Sequence, residues 1–325
     1  MRLRPLLCLL ALLAGCGGTS GGDRPDEGAT LLLDFTPNAV HSGLYVAVQR
    51  GFDTAEGVDL QIRKPSASTD ALKLLQGGRA DMAILDIHDL GLAREQGRDL
   101  VGVMAFVQSP LAAVLAQPGI RTPKDLEGER AGVSGLPSDE AVLRSVVQGA
   151  GGDPERVRTT TIGFEAVKAL LARRVAAATA FWNVEGVALK SKRPGMREFR
   201  VDDFGAPVYP ELVLTVTRET LEDRPAVVRA TIRALQRGYA EAQSDPESAL
   251  SAMLDSERGL DREALRAQLD AVAPEFTAGA RAFGELRPRV LREWAAWDAR
   301  FGILKEPIDV SRAFDTSLVG TPETD

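Results

Sequence analysis

Two short clusters in this chain combine residue types that recognise small molecules. The first is Asn38, His41 and Tyr45 in "DFTPNAVHSGLYVAVQ" (34–49). After Asp34 this stretch runs fifteen residues without a Lys, Arg, Asp or Glu, in a chain that is 26% charged. If Thr36 and Pro37 open a helix as N-cap and N1, the three polar residues fall at i, i+3 and i+7 on one side, next to an apolar stripe of Val40, Leu44 and Ala47. A solvent face would carry charge and a core face would not carry Asn and His, so the spacing predicts a cleft wall. The alternative is a buried helix whose polar groups bond within the fold. The second cluster is "FWNVEG" (181–186). There Trp182 could stack on a planar ring, while Glu185 could accept two hydrogen bonds from an amidine-like edge.

A third candidate, "GVSGLPSDEA" (132–141), reads as strand, glycine turn and helix start. Its amides at Ser134, Gly135 and Ser138 are expected to face an anionic or carbonyl oxygen, with Ser138 as the cap. It is neither a Walker A loop nor a G-x-G-x-x-G fingerprint. Catalytic chemistry has little to work with. His41 and His88 are the two histidines, the two cysteines are Cys8 and Cys16, and no nucleophile elbow or H-E-x-x-H is present. Asp86, His88 and Asp89 do not converge as metal ligands at that spacing, and a strand-end cap is the expected role. No metal and no cofactor are predicted.

Strand-like and helix-like segments alternate from Thr30, the pattern of an α/β fold with largely parallel sheets. From residue 225 apolar spacings of three and four run to the end, which predicts a helical C-terminal part. "ALKLLQGGRADMAILD" (71–86) and "AVKALLARRVAAATAF" (166–181) echo one another at an offset of 95. The echo sets "DIHD" (86–89) and "FWNVE" (181–185) at corresponding strand ends. Ligands in open α/β sheets sit at the carboxyl ends of strands, so these two segments are expected to face each other across a cleft.

The first residues are a targeting signal and not part of the fold. Arg2 and Arg4 precede an apolar run, Leu6 to Leu13, too short to span a bilayer. "LAGC" (13–16) then resembles a bacterial lipobox, in which Cys16 would be acylated as the first mature residue. The domain reading is a signal peptide 1–15, a lipidated tether 16–28, lobe 1 from 29–117 and 213–325, and lobe 2 from 118–212. The net charge is −7, or −9 without Arg2 and Arg4. That balance argues against nucleic acid, and against a bilayer contact beyond the lipid itself.

Taken in order, the lipobox, "LDFTPNAVHSGLYVA", "QGGRADMAI", "TPKDLEG", "GVSGLPSDEAVL" and "AAATAFWNVEG" resemble the no-message-in-thiamine family of solute-binding lipoproteins that serve ABC importers. The resemblance implies a two-lobed periplasmic-binding-protein fold of type II, export, anchoring by lipid to the outer face of the cytoplasmic membrane, a monomer and an ABC permease partner. It also implies capture of a thiamine pyrimidine precursor, formylaminopyrimidine or hydroxymethylpyrimidine, by closure of two lobes. The ligand-binding positions it implies are Phe35, Asn38, His41, Ser134, Gly135, Trp182, Glu185 and Tyr209, with Phe35 where the family more often has Trp. Riboflavin, sulfonate, taurine or nitrate on the same fold is the alternative. A pyrimidine-synthase enzyme, as among fungal relatives that carry a Cys-rich motif missing from this sequence, is the competing class.

Overall fold

The computed structural model describes residues 27–66 and 70–320. The signal peptide and Cys16 lie outside the described residues. Within the expected tether, Glu27 and Gly28 already belong to β1 (Glu27–Leu32).

The chain runs from β1 into α1 (Ser42–Gln49), a short α2 (Phe52–Ala55), β2 (Val58–Arg63), α3 (Asp70–Gln76), β3 (Met82–Asp86), α4 (Ile87–Glu95) and β4 (Leu100–Ala105). It then crosses to β5 (Ala112–Ala116), β6 (Arg130–Val133), α5 (Pro137–Gly149), β7 (Arg158–Thr161), α6 (Ala166–Leu171), β8 (Ala177–Phe181), α7 (Val187–Lys192) and β9 (Arg197–Arg200). The return strand β10 (Leu212–Thr217) leads to α8 (Arg218–Asp223), α9 (Pro225–Ser244), α10 (Pro246–Ser256), α11 (Arg262–Val272) and α12 (Pro288–Arg300).

Two five-stranded sheets result, with orders β2-β1-β3-β10-β4 and β7-β6-β8-β5-β9. The first three strands of each are parallel, and in each the fourth, β10 or β5, is antiparallel to both neighbours. Each antiparallel strand directly follows a crossing from the other sheet. The expected start of the second lobe at 118 is therefore too late, because β5 pairs with β8 and β9. All five residues of β5 are buried; a strand covered on both faces shows no alternation, so the sequence marks it poorly. The 95-residue echo is met by β3 and β8, whose first and last residues correspond at that offset.

The first helix differs from expectation at its start. Thr36 and Pro37 stay in a bend, and Asn38 caps a 3-10 turn (Ala39–His41) that feeds α1. Asn takes the role because its Oδ1 reaches back to accept from Val40 N–H at 3.0 Å. Helix α1 then packs on α9 backbone to backbone. The phenol of Tyr239 donates to the Val40 carbonyl. A Cβ on Gly43 would lie 2.3 Å from Tyr239 Cγ and 2.7 Å from its Cα.

Gly43→Ala is therefore expected to push two helices apart, at about 1–3 kcal/mol for overpacking, or roughly 1–5 °C of melting temperature at this chain length. Gly28→Ala, which meets nothing within 4 Å, is the control and should melt like the parent. Equal melting of the two variants by circular dichroism would contradict the close helix contact.

Candidate functional site

A cavity of about 230 Å³ lies between the two sheets. Asp34 and Phe35 enter it from the end of β1, Asp86 from the end of β3, and Phe181 from the end of β8. The turn after β6 adds Ser134 and Leu136, and α4 and α5 add Asp89 and Asp139. "DIHD" and "FWNVE" do face one cleft, through Asp86 and Asp89 on one side and Phe181 and Glu185 on the other. The lobes also touch around it. Phe35 meets Phe164 edge to face, centroids 4.4 Å apart at 78°, and Ser138 Oγ donates to Asp89 Oδ1 at 3.2 Å.

Of the eight ligand positions expected from sequence, Phe35, Ser134 and Glu185 line this cavity and five do not. Asn38 and His41 stand behind it, 4% and 0% exposed. The Asn38 N–H donates to His41 Nδ1 at 3.2 Å, which leaves the ring proton on Nε2 to be donated to Asp34 Oδ1 at 2.9 Å. These two residues therefore hold Asp34, and Asp34 is what reaches the cavity. The third polar residue of the opening cluster, Tyr45, is buried and donates to Glu257 Oε1 at 2.7 Å. So the uncharged polar face is used for bonding within the fold.

Trp182 is also displaced from its expected role. Its indole N–H donates to the Pro110 carbonyl at 3.0 Å, and the Arg200 guanidinium lies 3.9 Å over its ring. Adjacent residues at a strand end point to opposite faces, so Phe181 takes the cavity side. From Trp182 to Gly186 the chain makes a π-helical turn, a form common at functional sites. It curls Glu185 back until Oε2 accepts from Phe181 N–H at 3.3 Å.

The glycine turn is not an anion cradle. The Ser134 N–H already donates to Asp139, and Ser134 Oγ accepts from Leu136 N–H. Leu136 rather than Ser138 caps α5. Gly135, at φ +100°, supplies a left-handed turn that other residues adopt with strain. Tyr209 is fully buried, its hydroxyl 3.1 Å from His88 Nε2.

Sequence reasoning missed Asp34, Asp139, Phe164 and the cavity role of Phe181. The signal for Phe181 and Asp34 was available, since both close strands that the pattern had already located. Asp139 carried none, because an acid in the first turn of a helix reads as a dipole partner.

Five carboxylates line the cavity, Asp34, Asp86, Asp89, Asp139 and Glu185, with Lys73 as the cation among its described lining residues and no Arg or His. Burial pushes Asp86 and Asp89 well above the usual carboxylate range, with Glu211 adding to it at Asp86 and Asp86 adding to it at Asp89. Burial raises Asp139 as well, and takes Glu185 up to about 7. Such groups hold protons readily and can accept or donate hydrogen bonds. Behind them, His88 is fully buried with Nδ1 2.8 Å from Asp298. Burial acts to lower its pKa, but Asp298 and Asp86 outweigh that and raise it to about 10.

Asp86, His88 and Glu211 come within metal-ligating range of one another, but each is engaged by the fold, with Glu211 Oε1 the buried oxygen left without a partner. Asp86 caps α4 through His88 N–H, Glu211 Oε2 accepts from Leu111 and Ala112 N–H, and both ring nitrogens of His88 have partners. These contacts fit a structural network better than a metal centre.

A sequence model of the family described as NMT1/THI5 like matches residues 38–249. The chain is 34% identical over 256 residues to a formylaminopyrimidine-binding protein from Halalkalibacterium halodurans, covering 78% of each. It is 25% identical over 305 residues to a 4-amino-5-hydroxymethyl-2-methylpyrimidine phosphate synthase from Legionella pneumophila, covering 91% of this chain and 94% of that one. Among solved structures, the alkanesulfonate-binding protein SsuA from Xanthomonas axonopodis pv. citri, bound to MOPS, superimposes with a TM-score of 0.71 over 89% of this chain and 98% of its own. At 17% identity that likeness shows the fold, a two-lobed periplasmic binding protein.

A carboxyl raised in the folded state favours folding below its unfolded pKa and loses that advantage as pH climbs through the folded value. For Glu185 the window runs from about 4.5 to about 7. The stability of the parent relative to Glu185→Gln should therefore fall across that window, by on the order of 3 kcal/mol. Urea unfolding from pH 4 to 8 checks this, and a flat difference between the two proteins would count against the buried carboxyl.

Proposed function

The chain belongs to the NMT1/THI5-like family, and from that premise we propose that it captures a small flat aminopyrimidine, of the formylaminopyrimidine or hydroxymethylpyrimidine type, and delivers it to an ABC permease. The observation that carries this reading is the make-up of the cavity. Phenyl rings of Phe35, Phe164 and Phe181 offer apolar walls, while Asp34 and Glu185 bring carboxyls from opposite lobes. An exocyclic amine beside a ring nitrogen presents the donors and acceptor that such carboxyls match. A carboxyl near neutrality can meet that edge either as acceptor or as acid.

The same chemistry disfavours sulfonate, taurine and nitrate, because five carboxylates would repel an anion and the amides of the glycine turn are already occupied. A tricyclic flavin with its side chain asks for more room than about 230 Å³, below the ~300 Å³ at which sites for drug-sized ligands begin. Capture without chemistry is the reading adopted over a synthase. Both cysteines precede residue 17, and both histidines are fully buried and bonded within the fold. Ligand contacts from both lobes would favour the closed arrangement, which a permease then recognises. Export, acylation of Cys16 and action as a monomer at the outer face of the cytoplasmic membrane complete the proposal.

Calorimetry tests it directly. Hydroxymethylpyrimidine or formylaminopyrimidine should bind, taurine and nitrate should not, and a pyrimidine at 100 times its dissociation constant should stabilise the fold by roughly 2.7 kcal/mol. Glu185→Gln should weaken the pyrimidine by about 1.5–3 kcal/mol, the range for a hydrogen bond to a charged group. Taurine binding with no response to either pyrimidine would overturn the assignment, and unchanged affinity in Glu185→Gln would remove Glu185 from the contact.

A further inference from the structure

The rim of the second sheet farthest from the cavity is strongly basic. In the register of that sheet Arg158 at the start of β7 pairs with Arg130 at the start of β6, Ala131 with Ala177 at the start of β8, Ala177 with Ala116 at the end of β5, and Ala116 with Arg197 at the start of β9. Arg173 and Arg174 lie in the loop entering β8, and Arg193 follows α7 beside β9. A shallow groove runs along this rim, lined by Arg130, Arg173, Arg174 and Arg193, with Glu129 as its acid. Five strands at the usual spacing spread these cations over about 19 Å.

Most arginines elsewhere that reach a carboxylate are tied to it, as Arg224 is to Glu27 and Asp81. No carboxylate among the described residues comes within ion-pair distance of the six arginines of the rim. Arg158 does donate to the Gly128 carbonyl. Glu198, beside Arg197 in sequence, turns instead to Lys190 and Arg200. The imbalance extends beyond the rim. Residues 112–211 hold fourteen Lys and Arg against thirteen Asp and Glu, in a chain whose net charge is −7, and two of those acids, Asp139 and Glu185, face the cavity. The outer pole of the second lobe is thus cationic on an acidic body.

We propose that this arginine rim is a membrane-contacting surface that takes the anionic phosphate headgroups of a bilayer. A broad row of guanidinium groups in a shallow groove, exposed except for the half-buried Arg193, suits many phosphates presented on a plane better than one small anion enclosed in a pocket. The rim lies at the amino ends of β6, β7 and β8, while the cavity lies at the carboxyl end of β8. Contact with lipid there leaves the cleft clear. The interaction is independent of any ligand, so it stands or falls apart from the pyrimidine reading.

Vesicle sedimentation tests it, using the full chain so that the N-terminal segment is the same throughout. Partition onto vesicles containing phosphatidylglycerol should exceed partition onto phosphatidylcholine alone. It should fall about fivefold for each rim arginine removed, hence about a hundredfold for Arg130→Gln, Arg173→Gln and Arg174→Gln together, and weaken with salt. Arg229→Gln, Arg258→Gln and Arg292→Gln, exposed positions outside the second sheet, change the net charge equally and should keep most of the binding. Unchanged melting temperatures certify both triple variants as folded. Equal loss in both, or equal partition onto the two vesicle types, would overturn the proposal. So would abolition of vesicle binding by inorganic phosphate at matched ionic strength, which would make a free anion the occupant.

Discussion

One carboxylate joins the halves of this molecule. The chain passes between its two sheets near residues 106–111 and again near 201–211, and Glu211 of the second passage accepts from the Leu111 and Ala112 amides of the first, at 2.6 and 2.9 Å. Its own carbonyl accepts from Ile87 N–H, at the end of β3. An acid this deeply buried is costly unless it is compensated. The compensation comes from the two amides and from the imidazole of His88 close by, while burial still raises the carboxyl above its ordinary range. The same Asp86 lines the cavity, so the chemistry of the hinge and that of the pocket share a residue.

That sharing explains why the pocket is rich in carboxyls raised by burial. Groups that cannot all ionise together keep protons, and a set of partly protonated acids is a poor host for anions and a good one for amines. The alkanesulfonate binder shares the architecture of this chain but need not share its ligand, since a common scaffold leaves the choice to the side chains at the strand ends.

The sequence pattern located much of this and misjudged the rest for definable reasons. Strands β3 and β8 were legible because each is a short, mostly apolar run after a glycine- or arginine-marked helix end, and their alignment pointed to the cleft. Strand β5 was not, being buried on both faces. Among site residues, Glu185 could be read from type and neighbourhood, whereas Phe35 came only from the family resemblance. Trp182 misled because its size advertised it, while the one-residue alternation that sends Phe181 inward depends on where the strand gives way to the π-helical turn. Asn38 and His41 were read as a cleft wall, but they bond within the fold, and which carboxylate they serve there is a tertiary fact.

The hydrogen bond from Tyr239 to the Val40 carbonyl spans 199 positions of sequence. It braces the turn that carries Asn38 and His41, which in turn aim Asp34. A nascent chain therefore presents Asp34 almost at once yet lacks the brace until α9 has been made. A chain halted before Tyr239 would hold every described residue that lines the cavity and still lack the bond that braces the turn behind Asp34.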